Sequence, residues 1–292
     1  MSGHRKISWA IDSAAGLARW LAPVVPPLLL GKGYLLRSAV HLGLQGGARE
    51  LHRNRALRAT HGGQRCFVVG NGTSLLKLDL TLLRGESIFT VNTFLDHQDQ
   101  YGLRSFCHLL IDPLYFDPAH DGLRTLRRAG EARRDGTLLF APLEFQRVVE
   151  ENAPGSNYLF FSGKLEWNRN LDISRTLPRL QTVTLAALAV AMDLGFSPIY
   201  LIGCDMDFLG DVVATGPLRV RVRHFYEDEG DGIVSSPFDY EGFCRAVVRM
   251  LAGYRILRDR RGGTRIYNAG AGGLLDAFER VDYATLFPKG EL

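Results

Sequence analysis

The stretch VRVRHFYEDEG, residues 220 to 230, gathers more reactive side chains than any other part of the chain. His224 stands among Arg221, Arg223, Tyr226, Glu227 and Asp228. A free imidazole titrates near neutrality and can take a proton from a hydroxyl. Guanidinium and phenol groups beside it can steady a phosphate that is leaving. The same composition also describes a solvated surface loop, and the residues alone leave both readings open. A second group is Asp205-x-Asp207 in CDMDF. Two carboxylates so spaced can hold Mg²⁺ or Mn²⁺ against a diphosphate, since hard cations prefer oxygen ligands and substrate phosphates. The bland alternative is that Asp205 bonds backbone at a strand end and Asp207 is solvated. A third group is the turn Gly70-Asn71-Gly72-Thr73-Ser74, directly after the apolar run Cys66 to Val69. The glycines permit close backbone approach, Asn71 offers a donor and an acceptor, and Thr73 or Ser74 can cap a following helix whose free N–H groups favour an anion. The spacing is neither G-x-G-x-x-G nor a P-loop. A tight turn without a ligand fits as well as an anion cradle.

These groups need a frame. From Arg65 onward, apolar runs that read as strands (CFVVG, SIFTVN, SFCHLLID, GTLLFAP, NYLFFSG, PIYLIGCD, TRIYNA) alternate with helical patterns. TVTLAALAVAMDLG is apolar all round and is expected to be a buried helix closed by Gly195. PFDYEGFCRAVVRMLAGYRILRDRRG is amphipathic and reads as a second long helix. Such alternation predicts an α/β domain with a mostly parallel sheet covered on both faces, over residues 61–292. Ligands of such sheets bind beyond the carboxyl ends of the strands. Four strand ends then form a rim: Gly70-Asn71-Gly72, Asn92, Asp112-Pro113 and Gly203-Cys204-Asp205. Asn268 and Gly270, Gly272 and Gly273 form a further loop, read either as a closure over a base or ribose or as a simple connection.

The first 60 residues differ. Ile7, Ile11, Ala14, Ala18 and Leu21 recur at helical spacing, with Trp9, Trp20, Arg5, Lys6 and Arg19 beside them. The next apolar stretch is broken by Pro23, Pro26 and Pro27, too often for a spanning helix. A helical extension that lies on an anionic membrane, or packs on the main domain, is expected. The net charge of +4 suits an anionic substrate or membrane surface and does not call for nucleic acid. Cys66, Cys107, Cys204 and Cys244 lie far apart, as reduced thiols of a cytoplasmic protein would, at the inner face of the membrane if the extension binds there.

Four motifs in this order, VVGNGTSL, FTVNTF, IDPLYF and TVTLAALAVAMDLGFSPIYLIGCDM, resemble the bacterial sialyltransferases of glycosyltransferase family 42. RIYNAGAGGLLDAFERVDYATLF resembles their relatives in polysaccharide and flagellin-glycosylation loci, which share a domain with the archaeal 6-hydroxymethylpterin diphosphokinase. The resemblance covers residues 63 to 287. It implies a Rossmann-like, GT-A-like domain and transfer of a sugar with inversion. The donor would be nucleotide-activated, a CMP-linked nonulosonate or related acidic sugar, and the acceptor a cell-surface or lipid-linked glycan. Gly70, Asn71, Gly72, Thr73, Ser74, Asn92, Asp112, Thr182, Gly203, Asp205 and Asn268 then fall at the nucleotide and donor, and His224 at the base. The family's two phosphate-steadying tyrosines are replaced by Asp207 and Val213, leaving Arg221, Arg223 or Tyr226 for that role. Val183 replaces a nucleotide-contacting serine. The sialyltransferases work without a metal and the pterin kinases use one, so no cofactor and Mg²⁺ or Mn²⁺ both remain open. A Mg²⁺-dependent diphosphotransferase and a non-catalytic nucleotide- or glycan-binding protein are the competing expectations.

Overall fold

The computed structural model describes residues 47–118, 122–163, 170–215, 218–221, 223–226, 233–236, 238–260 and 262–287. Among these, nine strands form one sheet in the order β12-β11-β7-β1-β2-β3-β4-β5-β6, and every recorded pairing in it is parallel. Its centre is β1 (Cys66–Val69), flanked by β7 (Ile199–Ile202) and β2 (Ile88–Val91). Beyond β2 lie β3 (Cys107–Leu109), β4 (Leu138–Pro142), β5 (Asn157–Phe161) and β6 (Thr176–Leu177). Beyond β7 lie β11 (Ile266–Asn268) and β12 (Glu279–Arg280). Val68 is in register with Phe89 and Leu201, and Thr90 with His108.

Side chains alternate across the sheet, so each apolar run feeds two cores. Cys66, Val68, Phe89, Val91, Cys107 and Leu109 face the buried helix α4 (Val183–Asp193). Outside it lies α5 (Tyr240–Arg260), which contributes Tyr254 and Leu257. That covering explains why α4 is apolar all round. On the opposite face, Phe67, Val69 and Ile88 meet Leu75, Leu80 and Leu83 from two 3₁₀ turns, Thr73–Lys77 and Leu80–Leu83. Farther along that face, Leu110, Leu139 and Tyr158 meet α2 (Gly122–Arg134), with α3 (Gln146–Asn152) beside it.

Residues 47–60, grouped by sequence with the extension, pack into this domain. Helix α1 (Gly47–Arg53) buries Leu51. Asn54, fully buried, donates to the carbonyls of Tyr158 and Ile173 at 2.8 and 2.9 Å. Arg58 pairs with Asp172 and Asp193. The amphipathic stretch with Trp9 and Trp20 lies outside the described residues. A second departure is a small antiparallel sheet, β10-β9-β8, from β8 (Val212–Ala214), β9 (Arg219–Arg221) and β10 (Ile233–Ser235). Its middle strand buries Val220 between exposed Arg219 and Arg221. No helix among the described residues is long and apolar enough to cross a membrane.

Candidate functional site at the carboxyl ends of the strands

The turn after β1 is locked onto the turn after β7. Gly70 N donates to Ile202 O, and Gly72 N donates to Gly203 O, each at 2.9 Å. Gly203 has φ +62°, a left-handed conformation natural to glycine. A Cβ on Gly72 would come within 2.4 Å of the Asp205 carboxylate and 2.8 Å of the Gly203 carbonyl. The close approach that Gly72 permits is therefore to the neighbouring turn of the same chain.

The expected capping by Thr73 or Ser74 is not found. Gly72 is the cap residue of Thr73–Lys77, and no side chain caps it from that position. Instead Asp205, 7% exposed, accepts from the Ser74 backbone N–H at 2.9 Å on Oδ2 and from the Ser74 hydroxyl on Oδ1. The chain's own carboxylate thus occupies the place where a ligand anion was anticipated. Each oxygen of Asp205 has a donor, so a cation bound there would share oxygens already in use. Among the described residues no three His, Cys, Asp or Glu side chains gather as metal ligands. Asp207 lies near Asp211, which pairs with Arg223 at 3.2 Å. Burial foremost raises the Asp211 carboxyl above its ordinary range, and Arg223 works against that.

Two asparagines at adjacent strand ends are incompletely satisfied. Asn71, 9% exposed, donates from Nδ2 to Val91 O at 3.4 Å, and its Oδ1 is buried without a partner. Asn92, at the end of β2, has φ +55° and likewise a buried Oδ1 without a partner. Left-handed backbone is uncommon outside glycine, though asparagine tolerates it best.

The reactive stretch meets this same corner. Phe225, 4% exposed, donates its backbone N–H to Asn71 O at 3.1 Å and packs on Phe94. On that anchor His224 stacks on Tyr226 (centroids 5.1 Å, planes 3° apart), and Tyr226 stacks on His97 (4.4 Å, 6°). Thr93 Oγ1 donates to Tyr226 Oη at 2.5 Å. Tyr115 is close by: burial first, then Tyr226, Asp112 and Asp96, push its phenol well above the ordinary range. Asp112 itself is exposed and caps the turn Pro113–Phe116 by accepting from Leu114 N–H at 3.0 Å.

Two other anticipated residues have structural partners. Thr182 caps α4, accepting from Leu185 N–H at 3.2 Å. Asn268, 3% exposed, donates to Leu275 O at 2.9 Å and accepts from Gly270 N–H at 3.0 Å, so its amide shapes the glycine loop. That loop packs on Asp205: Leu274 N donates to Asp205 O at 2.6 Å. Arg280 holds it by donating to the carbonyls of Gly270, Gly272 and Gly273. Arg280, Thr93 and His97 carry no local motif. His108, a polar residue in the middle of a fully buried strand, was the one signal open to sequence reading.

No family model matches the sequence, and no curated protein matches it. Among solved structures, the chain is similar to the structure of MAf glycosyltransferase from Magnetospirillum magneticum AMB-1, with a TM-score of 0.45 and 15% sequence identity. The match covers 80% of this chain and 38% of that one, so the chain spans well under half the length of that protein.

Proposed function

We propose that this chain is a glycosyltransferase that binds a nucleotide-activated sugar at the carboxyl ends of β1 and β2. The observation that carries the reading is the pair of buried, unpartnered amide oxygens on Asn71 and Asn92. Leaving a buried polar atom unsatisfied costs about 1–3 kcal/mol, and native structures rarely tolerate it without a ligand, water or strain to account for it. Both atoms lie at the edge where parallel sheets bind ligands. The sequence resemblance places nucleotide-binding asparagines at the same two positions. In its finer form the reading takes the donor as a CMP-linked nonulosonate or related acidic sugar and the acceptor as a surface or lipid-linked glycan.

In an inverting transfer the acceptor hydroxyl attacks the anomeric carbon as the glycosyl–phosphate bond breaks. One group takes the hydroxyl proton, and the departing phosphate needs positive charge or a donor. His224 is our candidate for the first task. The chain holds residues 223–226 against the Asn71 turn through Phe225, which supports that choice. Arg221 and Arg223 carry charge suited to the second task, Arg223 sharing it with Asp211.

A thermal-shift screen of the full chain against CMP, CDP, UDP, GDP and ATP, with and without Mg²⁺, tests the reading. Stabilisation by one nucleotide, growing with concentration as linkage requires, is expected. No shift with any of the five would overturn it.

A further inference from the structure

At the opposite edge of the sheet, the amino ends of β2, β3 and β4 leave a cavity of about 450 Å³. Its walls come from residues 86–87, just before β2, residues 104–106, just before β3, and residues 135–137, just before β4. The 3₁₀ turn Gln98–Tyr101 and the second half of α2 close the sides. Ser87 and Asn92 bracket β2, so this edge lies roughly 15 Å from the Asn71 corner at about 3.3 Å per residue. The volume falls within the ~300–1,000 Å³ usual for small-molecule sites.

One interior group meets this cavity without a partner. Gln98 is 6% exposed. Its Oε1 accepts from the Ser105 backbone N–H at 3.2 Å and from the Ser105 hydroxyl at 2.8 Å. A backbone N–H can only donate, so the amide cannot be turned over and Nε2 is the remaining end. Nε2 makes no hydrogen bond among the described residues, yet it is not sealed from solvent. Its two N–H donors therefore open on the cavity that Gln98 lines. The hydroxyls of Ser105 and Thr137 are used within the wall, on Gln98 Oε1 and on the Ser105 carbonyl.

The rim carries both signs. Glu86, Asp99 and Asp135 stand with Arg104 and Arg128. Glu86 is held by Arg65, and Asp99 by Arg128 at 2.7 Å. Arg104 and Asp135 are exposed and have no ion pair among the described residues. A phosphate or carboxylate entering here meets three carboxylates and two guanidiniums, one of these already neutralised. A bare cation meets the Gln98 donors. A hydroxyl both donates and accepts, so an uncharged ligand with several hydroxyls satisfies the Gln98 amide, Arg104 and Asp135 together.

We propose that this cavity is a carbohydrate-binding site, which seats a neutral sugar unit through the Gln98 amide, Arg104 and Asp135. In a glycosyltransferase it holds a glycan at a point remote from the strand-end corner. That role rests on the proposed function, whereas the binding itself does not.

Titration of the full, ¹⁵N-labelled chain with methyl α-glucoside, methyl β-galactoside and methyl N-acetyl-β-glucosaminide tests the proposal. At least one should bind saturably and shift the side-chain NH₂ signals of Gln98. Replacing both rim residues, Arg104→Ala with Asp135→Ala, should lower that affinity by about tenfold or more. Both positions are exposed, so urea unfolding should stay near parental. Inorganic phosphate should not displace the sugar. No saturable binding by any of the three glycosides overturns the proposal. So does binding that leaves the Gln98 signals in place or is equal in the double variant, and so does displacement by phosphate, which would mark an anion site. CMP affinity, measured beside these, should be the same in parent and double variant. Sugar binding with no CMP binding would contradict the nucleotide reading alone.

Discussion

The backbone N–H of Phe225 donates to the backbone carbonyl of Asn71 across 3.1 Å. This one bond joins two parts of the chain 154 positions apart (225 − 71). It sets the ring stack of His224, Tyr226 and His97 beside the turn that carries the unpartnered Asn71 oxygen. The candidate base and the candidate nucleotide contact are thus parts of one corner.

With an identified donor and acceptor, His224→Ala should lower turnover by roughly 10²–10⁴-fold, the usual worth of a general base. Nucleotide affinity should stay within a few-fold, because Phe225 still anchors the segment. Steady-state kinetics beside calorimetry make the check. Near-parental turnover would place the base elsewhere, with Asp112 and Asp207 the next residues to replace.

Asp205→Asn should destabilise the fold by about 1.5–3 kcal/mol, as loss of hydrogen bonds to a charged, buried acceptor does. The new amide cannot accept from the Ser74 N–H and hydroxyl at both of its positions. Gly72→Val should be worse, since its side chain would enter the space held by Asp205 and the Gly203 carbonyl. Urea unfolding measures both. Parental stability in either variant would contradict the locked-turn description.

Much of the frame was legible in the sequence because buried parallel strands leave short apolar runs and α4 leaves a long one. The β8–β10 sheet was not, since three-residue strands with Arg219 and Arg221 outward and Val220 inward carry too little periodicity. Nor was the role of residues 47–60 legible. Their basic composition suggested an extension, yet Leu51 is buried and Asn54 donates to carbonyls 104 and 119 positions away. At the site, Asn71 and Asn92 stood out by position at strand ends. The contact of Ser74 with Asp205 spans 131 positions and has no local trace. His108 stands out in the sequence as a polar residue in an apolar strand, while its partner Thr90, 18 positions away, is brought to it only by the fold.

Truncation separates the extension from the domain. A chain beginning at residue 47 should fold, and one beginning at 61 should lose several kcal/mol or fail to fold, because it lacks Leu51 and the buried Asn54 amide. Circular dichroism with thermal unfolding decides this. The chain beginning at 47 should also lose binding to anionic vesicles relative to the full chain if residues 1–46 are a membrane segment.

Asp193 supplies a pH signature. Its carboxyl is pushed up to about 6, by burial foremost, against the nearby Arg58. The unfolded value is near 3.9. A raised acid favours the folded state while it is protonated, so this contribution is fully present below about pH 4 and is lost as pH rises through 6. Asp193→Asn should remove that part of the slope between pH 4 and 6 in urea-unfolding midpoints. An unchanged slope would mean that Asp193 titrates normally.

The central claim is that a nucleotide completes the strand-end asparagines, and Asn92→Gly tests it most directly. Glycine accepts the +55° backbone angle without strain, so the fold should be kept while the unpartnered oxygen is removed. Calorimetry with CMP should show affinity lowered by about tenfold or more, with the unfolding midpoint near parental in the absence of ligand. CMP affinity equal to that of the parent would contradict the account.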